Sequence, residues 1–319
     1  MKKILSCLCA LVGLFCLCSC NGNSSSNASA SGENHKIGIL APAVTHGWVA
    51  GTAFYAEQRC KELAEKGVKY KILTSSNADE MTQQLDDLEA WGAEAIVVYP
   101  QWQGMEVPIA AAIKRGTPVV SFDIAVQAEG IHVVSGDNVG MGVESAKYLV
   151  DKLGKDATIA VITVPTSGSV SALREQGFMD TVKEIAPGLK LLPYASKFTR
   201  DDGLKDMADI LVANPRIDGV YSMDDELSIG ILQAIREAGR TDIKAITGGG
   251  GCQEYFKLMQ TTKDIALQSA LYSPAMITEA VDEAYDLACG KDAPASRIIP
   301  TTIVDAANCA DFLNENSPY

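Results

Sequence analysis

The chain has 319 residues with 47% apolar content and 27 glycines, enough for two domains of ordinary size with full cores, which excludes a disordered chain. It carries 27 basic and 40 acidic residues for a net charge of -13, and without the N-terminal Lys2 and Lys3 the balance is 25 - 40 = -15. Binding to a polyanion is driven by clustered Lys and Arg, and no such cluster occurs in the sequence, so nucleic acid is excluded as a partner.

Residues 1 to 20, MKKILSCLCALVGLFCLCSC, place two lysines before an apolar run from Ile4 to about Leu17 and small residues before Cys20. That is the plan of an export signal, and the run is too short for a membrane-spanning helix. Leu17-Cys18-Ser19-Cys20 resembles a bacterial lipobox, which implies cleavage before Cys20 and lipidation of that cysteine; an ordinary signal cut nearby, or at Ala30, is the alternative. Residues 21 to 35 are Ser- and Asn-rich, have no apolar residue larger than alanine, and read as a flexible tether holding a domain off a surface.

Five of the nine cysteines fall in the signal, leaving Cys60, Cys252, Cys289 and Cys309. None has CxxC spacing and the chain has three histidines, His35, His46 and His132, so neither a metal site nor a cofactor is expected. The four cysteines fit small buried residues or one or two disulfides equally well.

From His35 strand and helix patterns alternate. Lys36 to Ala41, Tyr70 to Thr74, Ala95 to Tyr99 and Val119 to Asp123 are short apolar runs, each followed by a helical pattern, as in parallel βαβ units. A second cycle runs through Thr158 to Val164, Lys190 to Tyr194, Gly219 to Met223 and Lys244 to Thr247. The two cycles meet near Ile131 to Asn138, and the expected fold is α/β: two Rossmann-like doubly wound lobes whose strand ends face each other across a cleft. In DGVYSMDDELSIGILQAIREAG (218 to 239) a buried strand ends on three acids, and a helix follows that stops at Gly239. Ligands bind beyond the carboxyl ends of such strands, so Asp224 is a candidate to face a ligand, with Asp225 and Glu226 capping the helix; assignment of all three to capping is the alternative.

Four segments carry a resemblance to the ribose and galactose type periplasmic binding proteins: GTPVVSFDI (116 to 124), VVSGDNVGMG (133 to 142), SGSVSALREQGF (167 to 178) and the 218 to 239 stretch. Their order and spacing match across His35 to Tyr319. The resemblance implies a periplasmic binding protein type I fold with a three-segment hinge, a first lobe of 36 to 136 plus 273 to 299, and a second of 137 to 272 plus 300 to 319. It implies that Asp123 and Asp224 accept, and Arg174 donates, hydrogen bonds to a sugar. It also implies that Trp48 and Phe198 stack on the sugar's apolar faces, with His46, Tyr99, Trp102, Asn138 and Tyr272 completing the site. Such chemistry suits a polyol, whose hydroxyls need acceptors and donors and whose C–H faces need aromatic cover. Core filling for the aromatics, and a solvated helical face pairing with Glu175 or Asp180 for Arg174, are the alternatives; Trp102, on the loop after the third strand, has no evident packing reason to be there. Replacement of Asp123 by alanine is expected to weaken binding without changing the stability of the empty protein.

The chain departs from the family at Tyr99, at Tyr272 and at Gly248 to Gly251, where an acidic acceptor is missing, so the ligand is expected to carry fewer hydroxyls on that side. The implied function is an extracytoplasmic, monomeric lipoprotein on the outer face of the bacterial cytoplasmic membrane. It would capture a small polar ligand, a monosaccharide or sugar alcohol first, and hand it to an ABC permease without transforming it. A tethered sensor presenting an autoinducer-2-like or sugar ligand to a membrane receptor is one alternative, and a secreted α/β hydrolase another. Against the latter, no GxSxG elbow occurs, and His132 lacks an evident nucleophile partner.

Overall fold

A computed structural model describes residues 34–319. The expected export signal, the lipidation of Cys20 and nearly all of the tether lie outside the described residues.

The elements alternate as β1 (Lys36–Pro42), α1 (Gly47–Ala64), β2 (Lys69–Ser75), α2 (Ala78–Trp91), β3 (Ala95–Val98), α3 (Glu106–Arg115), β4 (Val119–Phe122) and β5 (His132–Gly136). They continue as α4 (Asn138–Leu153), β6 (Thr158–Thr163), α5 (Ser169–Ile185), β7 (Lys190–Ala195), α6 (Arg200–Ala213), β8 (Gly219–Ser222), α7 (Asp225–Glu237), β9 (Ala245–Gly250), α8 (Gln253–Thr261) and β10 (Ala266–Leu271). The last are α9 (Ile277–Ala288), β11 (Ser296–Ile299) and β12 (Ile303–Asp305). Two six-stranded sheets result, in the orders β11-β5-β4-β3-β1-β2 and β12-β10-β9-β8-β6-β7. Every pairing is parallel except β10 with β12.

Local signals account for the element ends. Asn77 caps α2 by accepting from the Glu80 N–H at 2.9 Å, and Gly92 and Gly116, both in the left-handed region, stop α2 and α3. The chain passes between the sheets three times: from β5 into α4, from β10 into the turn before α9, and from β11 into β12. Helix α9 buries Ile277, Ala280, Val281 and Ala284 and packs against β1, β3, β4 and β5, whereas α4 packs against α5, β9 and β10.

A 3₁₀ turn at Pro274–Met276 precedes α9, because Pro274 is held there by Ser273, whose hydroxyl accepts from the Ala275 N–H. β9 runs on to Gly250 rather than ending at Thr247. Its glycines leave little room for a side chain: a Cβ at Gly248 would lie 2.5 Å from the buried Asp225 Oδ1, and one at Gly249 2.9 Å from the Met223 carbonyl oxygen. The four cysteines are unpaired, with Cys60, Cys252 and Cys309 buried, and burial pushes the Cys60 and Cys252 thiols up to about 12.

Candidate functional site

The carboxyl ends of both sheets converge on one cavity of about 770 Å³. Of the ten side chains expected at a ligand site, nine line it: His46, Trp48, Tyr99, Trp102, Asp123, Arg174, Phe198, Asp224 and Tyr272. Asn138 does not. It opens α4 behind the wall, where its Oδ1 accepts from Arg174 Nε at 2.8 Å and its Nδ2 donates to the Tyr272 hydroxyl at 3.3 Å.

Asp123 follows β4 with φ 67°, the one non-glycine residue in the left-handed region among the described residues. Aspartate tolerates that conformation better than most residues. Its backbone is clamped, since its N–H donates to Val134 O at 2.9 Å and its carbonyl accepts from Ser135 Oγ at 2.9 Å. The carboxylate accepts from the Tyr272 hydroxyl at 2.5 Å. Burial raises its pKa, opposed by Tyr272, Arg174 and Tyr99.

Arg174 is buried on α5, and it forms no ion pair with Glu175 or Asp180 among the described residues. Besides Asn138 it donates from Nη1 to Met223 O at 2.8 Å, and its guanidinium lies 4.7 Å from the Tyr272 ring centre and 5.9 Å from that of Phe198. These contacts fix the guanidinium against the cavity wall. The helix can bring it there because α4 and α5 touch at Gly142 and Gly177, where a Cβ would come within 2.1 Å of Arg174 O and Val139 O respectively.

The three acids after β8 divide their work differently from the sequence reading. Asp224 is itself the cap of α7, Oδ1 accepting from the Leu227 N–H at 2.8 Å, and it also faces the cavity. Burial pushes its pKa up to about 7, helped by Asp225 and Glu226 and opposed by the Leu227 N–H and by Arg174. Asp225 points into the second sheet, where Oδ2 accepts from Gly251 N, Cys252 N and Ser269 Oγ at 2.8 to 2.9 Å. Glu226 reaches across to accept from the Gly47 N–H at 3.3 Å while pairing with Arg200 at 3.3 Å. A helix N-terminus favours all three acids, so sequence position alone could not assign them.

The aromatics serve core and cavity at once. Trp48 lies parallel to Phe122 with ring centres 6.0 Å apart, meets Tyr99 edge-on, and donates from Nε1 to Tyr272 O at 2.7 Å. Phe198 lies 6.4 Å from the His46 ring, whose pKa burial lowers against the pull of Glu226. Trp102 has the packing reason the sequence did not reveal: it is half-buried against the cluster that contains Met105 and Ile109.

Sequence reasoning missed several cavity residues. Gln101 and Gln103 flank Trp102, and Ser167 and Ser169 lie in the segment that carries Arg174, so their neighbours were signals for them; Gln127 had none. Among the described residues no group of His, Cys, Asp and Glu is placed to hold a metal ion, and no helix is long and apolar enough to cross a membrane.

Two parallel α/β sheets with carboxyl-terminal ends converging on one cavity, walled by buried carboxylates, an arginine and aromatics, define a bilobal binding protein of the periplasmic type. The chain belongs to the family described as periplasmic binding protein domain, whose model matches residues 37–292. It is 28% identical over 228 residues to the ribose import binding protein RbsB of Bacillus subtilis, covering 70% of this chain and 73% of that one. It is 30% identical over 181 residues to a xylitol-binding protein of Mycolicibacterium smegmatis, a match that spans 55% of this chain and about half, 52%, of that protein. The crystal structure of an ABC transporter solute binding protein from Mycobacterium smegmatis with bound glycerol superimposes with a TM-score of 0.79 at 25% identity, covering 89% of this chain and 99% of that one.

Proposed function

We propose that this chain is an extracytoplasmic solute-binding lipoprotein, anchored through Cys20, that captures a neutral sugar or sugar alcohol between its lobes and delivers it to an ABC permease. The observation that carries the reading is the joint presence of buried Asp123, Arg174 and Asp224 on one cavity, held by both sheets. A polyol needs buried acceptors and a fixed donor, and a dry cavity makes each bond to a charged partner worth about 1.5–3 kcal/mol. Arginine is the cavity's one fixed cation, and the three carboxylates Asp123, Asp224 and Glu106 outnumber it, so an anionic ligand is disfavoured. The names of the relatives, ribose import binding protein and xylitol-binding protein, support the same ligand class. The division into lobes 36–136 plus 273–299 and 137–272 plus 300–319 is part of the proposal, supported by the membership of the two sheets. The protein acts as a monomer and leaves its ligand chemically unchanged.

The test is a thermal-shift screen of the purified protein over pentoses, hexoses, sugar alcohols, autoinducer-2 and nucleosides. A sugar or polyol should raise the melting temperature in a concentration-dependent way. Stabilisation by a nucleoside alone, or by none of these, would sink the reading. Replacement of Cys20 by alanine should abolish incorporation of labelled fatty acid; persistent labelling would remove the anchor.

A further inference from the structure

The cavity is larger than one sugar ring requires and is divided in character. Its volume of about 770 Å³ lies in the upper part of the roughly 300–1,000 Å³ range of pockets that enclose drug-sized ligands. The inner end is walled by the buried groups Trp48, Tyr99, Asp123, Arg174, Asp224 and Tyr272. The outer end lies between the loops after β3 and β4 on one side and the turn after β6 on the other. There the wall includes the half-buried Trp102, the exposed amides Gln101, Gln103 and Gln127, Glu106, and Ser167 and Ser169.

The lobes meet where Glu226 accepts from the Gly47 N–H and the His46 ring lies against Phe198. By contrast, no hydrogen bond links the loops after β3 and β4 to the turn after β6 among the described residues. Amides and hydroxyls offer both donors and acceptors, and an indole offers a face for C–H groups or a ring. The one ionised group on this wall is Glu106, and no cation faces it, so a phosphate or carboxylate substituent is disfavoured.

We infer that the outer end is a second subsite, and that the preferred ligand is a neutral sugar bearing a further ring-sized substituent: a glycoside or a disaccharide whose second unit covers Trp102. This rests on the sugar reading of the inner site.

Calorimetry of the full chain with glucose, galactose, ribose and arabinose, each as the free sugar and as its methyl and 4-nitrophenyl glycosides, together with maltose, cellobiose and lactose, tests it. At least one glycoside or disaccharide should bind ~10-fold or more tightly than its free sugar, the size of one good aromatic contact with accompanying hydrogen bonds. Trp102→Ala should abolish that gain, and Trp102→Phe should retain most of it. Because Trp102 also packs in the fold, Gln103→Ala, at an exposed position, provides the second variant and should reduce affinity for the larger ligand alone. A free sugar that binds as tightly as all its derivatives, or variants that weaken both classes alike, would overturn the subsite while leaving the sugar reading intact. Binding of no compound in the panel would overturn both.

Discussion

The Tyr272 hydroxyl donates to the Asp123 carboxylate at 2.5 Å, so the acceptor expected to serve a ligand is already engaged by the protein. The same phenol accepts from Asn138 Nδ2 at 3.3 Å, and its ring lies under Arg174. One tyrosine thereby ties together Asp123, Asn138 and Arg174 at the cavity wall, which gives Asp123 a structural role beside the binding role proposed for it.

Asp123→Ala is therefore expected to do more than weaken binding. It leaves a buried phenol without its acceptor, a loss worth about 1–3 kcal/mol, and puts alanine at φ 67°. The melting temperature of the empty protein should fall, contrary to the expectation of unchanged stability drawn from the sequence. Asp123→Asn keeps an acceptor and suits the left-handed conformation, so it should be nearly normal in stability yet at least ~10-fold weaker for the ligand. Equal melting temperatures for Asp123→Ala and the parent would show that the Tyr272 bond contributes nothing.

The contrast marks where sequence reading stopped. The strand–helix alternation, the two sheets and Asp123 at the end of β4 are local patterns of apolar runs and turn residues, and they were legible. What a side chain touches across the sheets was not. Tyr272 lies 149 positions from Asp123, and Glu226 lies 179 from Gly47, pairings that no window of sequence contains. Trp102 was misread for the same reason, since the Met105–Ile109 cluster that shelters it forms only when α2 and α3 pack together.

Arg174→Lys should weaken ligand binding at least ~10-fold with the charge retained. The guanidinium uses Nε for Asn138 and Nη1 for Met223 O, two nitrogens held apart in one plane, and the single nitrogen of a lysine cannot occupy both positions. Asn138→Ala should produce a smaller loss in the same direction, because it loosens the guanidinium without touching the cavity. Calorimetric affinities of the two variants decide it; full affinity in Arg174→Lys would mean that the fork is not used.

Gly142→Ala tests the backbone that delivers Arg174. The new Cβ would meet Arg174 O at 2.1 Å, a carbonyl that also accepts from the Tyr221 hydroxyl at 3.1 Å, so relief requires α5 to move. Overpacking of this kind costs about 1–3 kcal/mol or more. Urea denaturation should show that loss, accompanied by weaker binding; unchanged stability would mean that the α4–α5 contact yields easily.

The pH dependence of stability and of binding should run in opposite directions, and Asp224 is the reason. Its folded pKa, about 7, stands above the ordinary 3.8, and Asp225, at about 6, is raised in the same sense. A carboxyl that holds its proton more tightly when folded contributes stability that is fully present below the unfolded value and is lost as pH rises through the folded one. The empty protein should therefore lose stability from about pH 4 to pH 7 on account of these groups. Asp224→Asn should make that decline shallower between about pH 4 and 6 and remove it between 6 and 7, leaving the part due to Asp225. Ligand affinity should instead rise between pH 5.5 and 8, because a hydroxyl that donates to Asp224 needs the carboxylate form, and it should be flat in Asp224→Asn. Melting temperature and calorimetric Kd measured across that range supply both readouts. A parent protein whose affinity is independent of pH would show that Asp224 serves as the cap of α7 and accepts nothing from the ligand.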